Sequence, residues 1–463
     1  MTSNTLEETF LTAIENKDIP GAILLATNKA GTLNYAKAFG KTGVSPDAKP
    51  ITLDSTFWLA SCTKLLTTIA ALQCVERGLF SLDSPDDIAR LLPEIAAPVI
   101  LTGFDAEGAP ITVPATKRIT LRKMLTHTAG MSYSSLAPLL EAWKKTPEGK
   151  RTYDDEFMSE QLKPLVYEPG ESWMYSESLE WAGKLVERAN NGMTLEAYMQ
   201  QHIWDPLSIQ DITFHLEKKE RVKQNLVEMA VRVPESGLLI QGKDEYYPAS
   251  IGYGAGGGGL WGSASEYIKV MTSILRDDGK LVKSETVAEM FKAQLSPASK
   301  DGWAADPFFA GQNLGGEFTW GLGGKYNLED LTEGMQKKGS LAWGGMPNIF
   351  WASQRFHWID PVAGIAGLYA SQVLPPADKA SLEMFKKFEQ DVYKQAQAFM
   401  HTNGKAGGIN IQGMSWGCLQ NQFGWMSMYG SCDGSGVLSF GGDAGKEAQA
   451  EEAYRRTNTT RPL

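Results

Sequence analysis

Ser61 and Lys64 form an S-x-x-K pair, a pattern whose residue types suit nucleophilic catalysis. A serine hydroxyl is a weak nucleophile that needs a neighbouring proton acceptor. A lysine in an apolar setting is pushed towards the neutral amine, which can accept that proton. The spacing places both side chains on one face of a helix, one turn apart. An N-capping serine beside a surface lysine would give the same pattern, so the pair alone does not establish catalysis.

The element predicted to carry this pair is a mostly buried helix over 61–77, because apolar residues flank the pair and Gly78 provides a stop. A turn beginning at Pro169 leads into a second predicted helix, 178–190. This turn contains Tyr175, whose phenol can move a proton, although an aromatic packing role would fit equally well.

Periodicity predicts the remaining elements of the domain. We expect further helices over 5–17, 194–204, 264–276, 284–293 and 380–399, and strands over 22–27, 33–39, 318–323, 339–343, 349–351 and 364–372. After residue 402 the sequence becomes rich in Gly, Asn, Ser and Trp without a clear period. We therefore expect a catalytic domain over 1–401 and a tail of unknown role over 402–463.

Composition excludes several classes of function. The chain has 463 residues, 43% of them hydrophobic, and a net charge of −10, which argues against nucleic acid or an anionic membrane as a partner. The acidic N-terminus, unlike a signal peptide, favours a cytoplasmic location. Four cysteines are too few for a disulfide scaffold, and five scattered histidines show no metal-ligand spacing. We expect no cofactor and no metal.

Two further features are judged not to carry chemistry. The glycine-rich stretch 252–257 matches the G-x-G-x-x-G fingerprint, but neither a buried strand nor a βαβ unit surrounds it, so we expect a close-packed loop. His127 lies near the end of a predicted helix over 119–130, which ends at Gly130. A catalytic base is one interpretation of it, and a structural residue that ties a turn is the favoured one.

Three motifs together resemble the serine β-lactamase and penicillin-binding-protein superfamily, in its class C and esterase-like branch. They are Ser61-x-x-Lys64, Tyr175-Ser followed by Trp181-Ala-Gly, and Trp343-Gly344-Gly345. The order of these motifs is similar to that of the family over roughly residues 8–395. The resemblance implies an α+β fold, an α/β sandwich in which helices flank an antiparallel five-stranded sheet. It also implies a sheet lobe over roughly 1–60 and 255–400 and a helical lobe over roughly 61–254.

Within this branch the chain looks most like fungal polyketide acyltransferases of the lovastatin-pathway type. The resemblance implies an acyl-enzyme on Ser61, with Lys64 and Tyr175 moving the proton in an order that the sequence leaves open. It also implies an oxyanion site formed by backbone N–H groups of Ser61 and of Gly345 or Met346. The aromatic residues near the motifs are candidate walls for an apolar acceptor, and each could equally belong to the core: Trp58, Tyr133, Trp173, Trp343, Trp351 and Tyr369.

The resemblance implies an acyl thioester donor, in some relatives bound to an acyl carrier protein, and a small-molecule alcohol as acceptor. β-Lactam chemistry is disfavoured, because Glu177 stands where lactamases carry Asn and Trp343 supplies no cation for a carboxylate. A plain esterase and a non-catalytic binding protein remain the alternatives. Residues 352–357 look like an insertion beside the strand that carries Trp343, which bears on acceptor specificity.

Overall fold

The computed structural model describes residues 5–242, 247–248, 251–305, 316–331, 335–347, 349–351 and 358–405. The α-helices are α1 Leu6–Glu15, α2 Thr63–Glu76, α3 Pro85–Leu91, α4 Leu121–Leu125, α5 Pro138–Trp143, α6 Glu156–Gln161, α7 Ser178–Ala189, α8 Leu195–Met199, α9 Asp205–Leu207, α10 Glu220–Gln224, α11 Ala264–Arg276, α12 Ser284–Met290, α13 Pro297–Ala305 and α14 Lys379–Lys405.

The strands are β1 Gly21–Asn28, β2 Asn34–Gly40, β3 Thr56–Trp58, β4 Val99–Phe104, β5 Pro110–Pro114, β6 Ile212–Thr213, β7 Ala230–Arg232, β8 Leu239–Gln241, β9 Trp261–Ser263, β10 Phe318–Trp320, β11 Lys325–Asn327, β12 Leu341–Gly345, β13 Ile349–Trp351, β14 Trp358–Asp360, β15 Ile365–Ala370 and β16 Val373–Leu374.

Helix α2 lies inside the molecule. Every residue from Thr63 to Cys74 is buried, as expected for a helix whose sequence is apolar on all sides. The helix begins at Thr63 and not at Ser61, because residues 60–62 form a 3₁₀ turn that precedes it. Ser61 therefore lies on the turn that enters α2, and Lys64 lies on the first turn of the helix itself.

The main sheet is antiparallel, in the order β10-β11-β12-β13-β15-β1-β2, with β14 also pairing with β12 and β15. The predicted α+β class is confirmed, but in the described ranges the sheet has seven strand positions and not five. Several of its strands have only three residues, which is too short for an alternating pattern to be recognised in the sequence.

Aromatic side chains join the sheet to the helices α1 and α14. Tyr369 of β15 packs against Phe10 of α1 and Phe385 of α14, with ring centroids 6.4 and 5.9 Å apart. Trp358 of β14 packs against Phe388 of α14 at 5.8 Å. These large, fully buried rings remove much apolar surface from water and stabilise the layer contact.

The strand position between β12 and β15 is filled by two segments, β13 and β14. Trp343 of β12 pairs with Trp351, whereas Leu341, two residues earlier, pairs with Ile359. An uninterrupted antiparallel strand would advance by two residues over this step. Because the chain instead advances by eight, six residues are extra, which agrees with the predicted insertion 352–357. The insertion itself lies outside the described residues.

A buried polar chain connects β11 to α14. Asn327 donates to Gln336, and Gln336 donates to Glu389, each at 2.9 Å. The Nζ atom of Lys325 lies 3.8 Å from the centroid of the Phe318 ring and has no hydrogen-bond partner among the described residues. Burial lowers the pKa of Lys325 to about 7 and raises the pKa of Glu389 well above its usual range. Both groups are therefore costly to bury in charged form.

The predicted tail over 402–463 falls mostly outside the described residues, and its independence from the domain stays a prediction. Helix α14 continues to Lys405, past the predicted boundary. In the described part of the chain, no helix combines the length and apolarity needed to cross a membrane. The cytoplasmic location also stays a prediction.

Candidate active site

The structure brings Ser61, Lys64 and Tyr175 together. The Tyr175 hydroxyl donates to Ser61 Oγ at 2.8 Å, and Lys64 Nζ donates to the same oxygen at 3.2 Å. Lys64 Nζ also lies 4.8 Å from the centroid of the Tyr175 ring. Both proton-transfer candidates are therefore within hydrogen-bond reach of one serine oxygen, which is the geometry that nucleophilic catalysis requires.

The backbone before Ser61 is strained. Ala60 has a φ of 46°, in the left-handed region that an alanine rarely adopts. This conformation turns the chain from β3 into the helix entry and leaves Ser61 partly exposed, while its neighbours Ala60 and Cys62 are buried. Strain of this kind is found at functional sites where the surrounding structure enforces it.

Lys64 is held by three acceptors. Besides bonding to Ser61 Oγ, Lys64 Nζ donates to the carbonyl oxygen of Gly257 at 2.6 Å and to the Tyr133 hydroxyl at 3.0 Å. Only 3% of the residue is exposed, so these bonds replace its hydration. The glycine-rich loop is closely packed, as predicted: Thr67 donates to the carbonyl oxygen of Gly256 at 2.7 Å. Its contact with Lys64 was not foreseen.

Tyr133 therefore takes part in the Lys64 network through its hydroxyl, beyond the predicted role as a pocket wall. Its ring lies 5.5 Å from that of Tyr175. Burial raises the pKa of Tyr133 well above its usual range, and the nearby Tyr175, Glu180 and Glu177 act in the same direction. Tyr133 stays protonated and can serve as a hydrogen-bond donor.

Tyr175 is fixed from two sides. Trp343 Nε1 donates to the Tyr175 hydroxyl oxygen at 3.0 Å. His127 Nδ1 lies 2.9 Å from Ser176 Oγ and 3.2 Å from the Ser176 backbone nitrogen, so it ties the turn that carries Tyr175. This contact agrees with the favoured structural role of His127. Burial and the charge of Lys64 lower the pKa of His127 well below its usual range, which keeps the ring neutral.

Gly345 ends β12 directly beside the turn that carries Ser61. A Cβ atom on Gly345 would lie 2.4 Å from the carbonyl oxygen of Leu59 and 3.4 Å from Ala60 Cβ, so only glycine fits. The following residue, Met346, is 40% exposed. This arrangement brings the predicted oxyanion donors of β12 next to Ser61. Their role stays a prediction.

The remaining predicted pocket walls lie in different surroundings. Trp58 is buried, stacks on Tyr247 with centroids 4.8 Å apart, and donates to the carbonyl oxygen of Gly258 at 2.8 Å. Trp173 is 1% exposed and packs against Trp303 at 4.6 Å, so it belongs to the aromatic core beneath Tyr175.

The structure does not place the two other candidate walls in the cleft. Tyr369 is fully buried in the layer contact with α1 and α14, which is a core position. The side chain of Trp351 lies outside what the structure describes. A contact of any of these walls with an acceptor stays a prediction.

Two glutamates on or before α7 place acidic groups beside the site. Glu177 pairs with Lys163 at 2.6 Å, and burial raises the pKa of Glu177. Glu180 is 7% exposed, and burial raises its pKa to about 8. Glu177 was singled out in the sequence as a departure from lactamases. Glu180 lies within the Tyr175–Trp181 motif but was assigned no role from the sequence, although it is a charged residue at a core-facing position of an amphipathic helix.

The described side chains offer no group of three or more His, Cys, Asp or Glu residues that could hold a metal ion. The Ser61 hydroxyl is contacted by the phenol of Tyr175 and the amino group of Lys64, and the indole N–H of Trp343 donates to that phenol. Their arrangement suits proton transfer to and from a serine oxygen.

A sheet flanked by helices, with a serine-lysine pair at the entrance of a buried helix, defines a class of serine enzymes. The family model described as Beta-lactamase matches residues 6–431. The chain belongs to the beta-lactamase family.

Curated relatives narrow this assignment. The chain is 38% identical over 407 residues to monacolin J acid methylbutanoyltransferase of Aspergillus terreus, covering 85% of this chain and 96% of that protein. It is 36% identical to lovastatin esterase of Penicillium rubens, covering 85% and 99%. The predicted acyltransferase class is confirmed by the acyltransferases among these relatives.

Solved structures agree with the sequence comparison. A variant of simvastatin synthase from Aspergillus terreus superimposes with a TM-score of 0.77 at 38% identity, covering 85% of this chain and 95% of that one. The unliganded form of simvastatin synthase matches with a TM-score of 0.76 at 36% identity. The predicted β-lactamase-like fold is thereby confirmed.

Proposed function

We propose that the protein transfers a short acyl group from a thioester to a hydroxyl group of a polyketide-type secondary metabolite, through an acyl-enzyme on Ser61. The observation that carries this proposal is the pair of hydrogen bonds from Tyr175 and Lys64 to Ser61 Oγ. Support for the substrate class comes from a relative named for methylbutanoyl transfer to monacolin J acid.

In the first half-reaction, Ser61 Oγ attacks the thioester carbonyl, and its proton passes to the Tyr175–Lys64 pair. The tetrahedral intermediate then collapses, the C–S bond breaks, and the departing thiolate takes up that proton. In the second half-reaction the acceptor hydroxyl gives its proton to the same pair and attacks the acyl-enzyme. Collapse releases the ester product, and Ser61 recovers its proton.

Backbone N–H groups of Ser61 and of Gly345 or Met346 are proposed to hold the oxyanion in both half-reactions. One such donor typically lowers the activation barrier by about 3–4 kcal/mol. The close approach of Gly345 to Leu59 supports this assignment, because it brings the end of β12 to the Ser61 turn.

The donor is proposed to be a thioester, bound either to a small thiol or to an acyl carrier protein.

Trp343 occupies a position where a lysine could bind a substrate carboxylate, and its N–H already donates to Tyr175. The site therefore offers no cation at this position for the carboxylate of a β-lactam.

Hydrolysis is the second candidate function, and the match to lovastatin esterase is the observation that favours it. Both reactions use the same acyl-enzyme and differ only in whether water or an alcohol attacks it. Transfer dominates only if the acceptor is bound over the acyl group, because water is present at about 55 M and orientation must provide an effective molarity well above that.

The test is intact-mass spectrometry of the protein after mixing with a butanoyl thioester of a small thiol. We expect a single added acyl group on the wild-type chain, located on Ser61 by peptide mapping. Ser61→Ala should show no adduct, with an unchanged circular-dichroism spectrum. If the wild-type chain acquires no adduct on Ser61, a non-catalytic member of the fold replaces this proposal.

Product partitioning separates transfer from hydrolysis. Bulky polyketide alcohols are added to the acylated protein, and the ester formed is compared with the free acid released. An excess of ester for at least one acceptor is expected. If free acid dominates with every acceptor, the esterase function is the correct one.

A further inference from the structure

The carboxyl group of Glu180 is buried directly behind Lys64. Glu180 lies on the first turn of α7, only 7% exposed, and its Oε2 atom has no hydrogen-bond partner among the described residues. A buried carboxyl oxygen without a hydrogen-bond partner costs free energy, so its presence here calls for an explanation. Glu180 is not among the groups that touch Ser61, so the proton transfer described above does not account for it.

The backbone of Gly257 lies between Glu180 and Lys64. The Glu180 carboxyl group lies against this residue, and the carbonyl oxygen of Gly257 accepts from Lys64 Nζ at 2.6 Å. A Cβ atom on Gly257 would lie 2.6 Å from Glu180 Oε1 and 3.6 Å from Lys64 Nζ. The absence of a side chain at Gly257 lets both side chains approach its backbone.

Other titratable groups also face this carboxyl group. Lys64 of α2 and Lys163 favour its ionised form, whereas Glu177 at the start of α7 opposes ionisation. Glu180 in turn acts on three phenols, and burial raises the pKa of each: Tyr133, Tyr247 and Tyr253. Lys64, which donates to Ser61, therefore contacts the same glycine backbone as Glu180.

We propose that Glu180 is a positioning residue of the acyl-transfer site: it braces the Gly257 backbone that holds Lys64 against Ser61, and its charge acts on the proton transfer at Ser61. The proposal rests on the proposed function. A neutral Glu180 keeps its contact with Gly257 and adds no charge. An ionised Glu180 adds a buried negative charge beside the site, which opposes the negative charge that develops when Ser61 loses its proton.

This arrangement predicts how the acylation rate depends on pH. Burial holds the pKa of Glu180 at about 8, so the carboxyl group is mainly neutral at pH 7 and mainly ionised at pH 9. As the pH rises past 8, the negative charge on Glu180 opposes the loss of the proton from Ser61, on which the acylation rate depends. The wild-type rate should therefore level off above pH 8.

The experiment compares Glu180→Gln with the wild-type chain, measuring the rate of Ser61 acylation by a butanoyl thioester between pH 6 and pH 9.5. Glutamine keeps the shape and a polar group facing Gly257 but cannot ionise. We expect the two rates to agree within about threefold at pH 7 and the variant to be about tenfold faster at pH 9, since a shift of one pH unit changes the population tenfold. Glu187→Gln, on the same helix and paired with Lys184, should follow the wild-type profile.

A second variant tests the contact with Gly257. Glu180→Leu has a similar size but no polar group facing Gly257. It should acylate at least about tenfold more slowly at every pH, a loss that Glu180→Gln restores. Identical pH profiles for wild type and Glu180→Gln would overturn the role of the charge, and a wild-type rate in Glu180→Leu would overturn the role of the contact. Failure of the wild-type chain to acylate would instead refute the proposed function, and this inference with it.

Discussion

Replacing Trp343 by phenylalanine removes the indole N–H that donates to the Tyr175 oxygen at 3.0 Å while keeping an aromatic ring in the same place. If Tyr175 takes the Ser61 proton as a phenolate, this bond stabilises a negative charge. A hydrogen bond to a charged group contributes about 1.5–3 kcal/mol. The acylation rate should then fall by a factor of about 10 to 150, since about 1.4 kcal/mol corresponds to tenfold.

The same measurement identifies the base. If neutral Lys64 takes the proton and Tyr175 only donates, the lost bond is a neutral one of about 0.5–1.5 kcal/mol, and the fall is about twofold to tenfold. The assay is single-turnover acylation by a thioester, followed by mass spectrometry in quenched samples. Trp343→Phe leaves Tyr175 with its bond to Ser61, so the fold of the site is retained.

The matched control is Trp320→Phe. Trp320 is also buried, lies 4.6 Å from the Trp343 ring, and donates its N–H to the backbone carbonyl of Leu125 and not to Tyr175. Both substitutions leave a similar cavity and should lower the melting temperature similarly. An acylation rate that falls equally in the two variants, or in neither, would refute the reasoning about the Tyr175 oxygen.

Two further predictions follow from the same structure. Tyr175→Phe and Lys64→Met should each slow acylation by about 10²-fold or more, as expected for lost proton transfer, while thermal unfolding stays cooperative; rates near wild type in both would contradict their roles. Lys325→Met should flatten the pH dependence of the free energy of unfolding. Because burial lowers the folded-state pKa of Lys325 from 10.5 to about 7, its destabilisation is complete below pH 7 and disappears as the pH rises towards 10.5. The free energy of unfolding of the wild-type chain should therefore rise by up to about 1.4 kcal/mol per pH unit in that window because of Lys325, which urea denaturation can measure. Equal pH dependence in the wild-type chain and in Lys325→Met would show that the lysine is not buried in its neutral form.

The three groups that meet at Ser61 could be predicted because each occurs in a motif. Ser61 and Lys64 are close in sequence, and Tyr175 lies in a turn whose pattern resembles the family. The helix was predicted from apolar residues at helical spacing, and its start differs because residues 60–62 form a separate 3₁₀ turn. Motif and periodicity were sufficient wherever the information is local.

No role was assigned to Glu180 or Gly257 from the sequence, because their contacts join distant segments. The burial of a glutamate on α7 is decided by the loop that packs against it, some eighty residues further along the chain. Similarly, Lys325 lies in a three-residue strand, and nothing in the sequence indicates that α14 will bury it. Long-range packing thus decided which charged residues lie inside the molecule.

The divided strand position between β12 and β15 has a consequence for how the segment 352–357 can change during evolution. Both ends of the segment 352–357 leave from strands that are paired on two sides, and one end leaves from the residue opposite Trp343. Changes in its length or composition can therefore accumulate without a shift in the register of β12, which carries the residues beside Ser61. Exchanging this segment between relatives should therefore leave the pairing of β12 intact, which makes the segment a separate unit of variation.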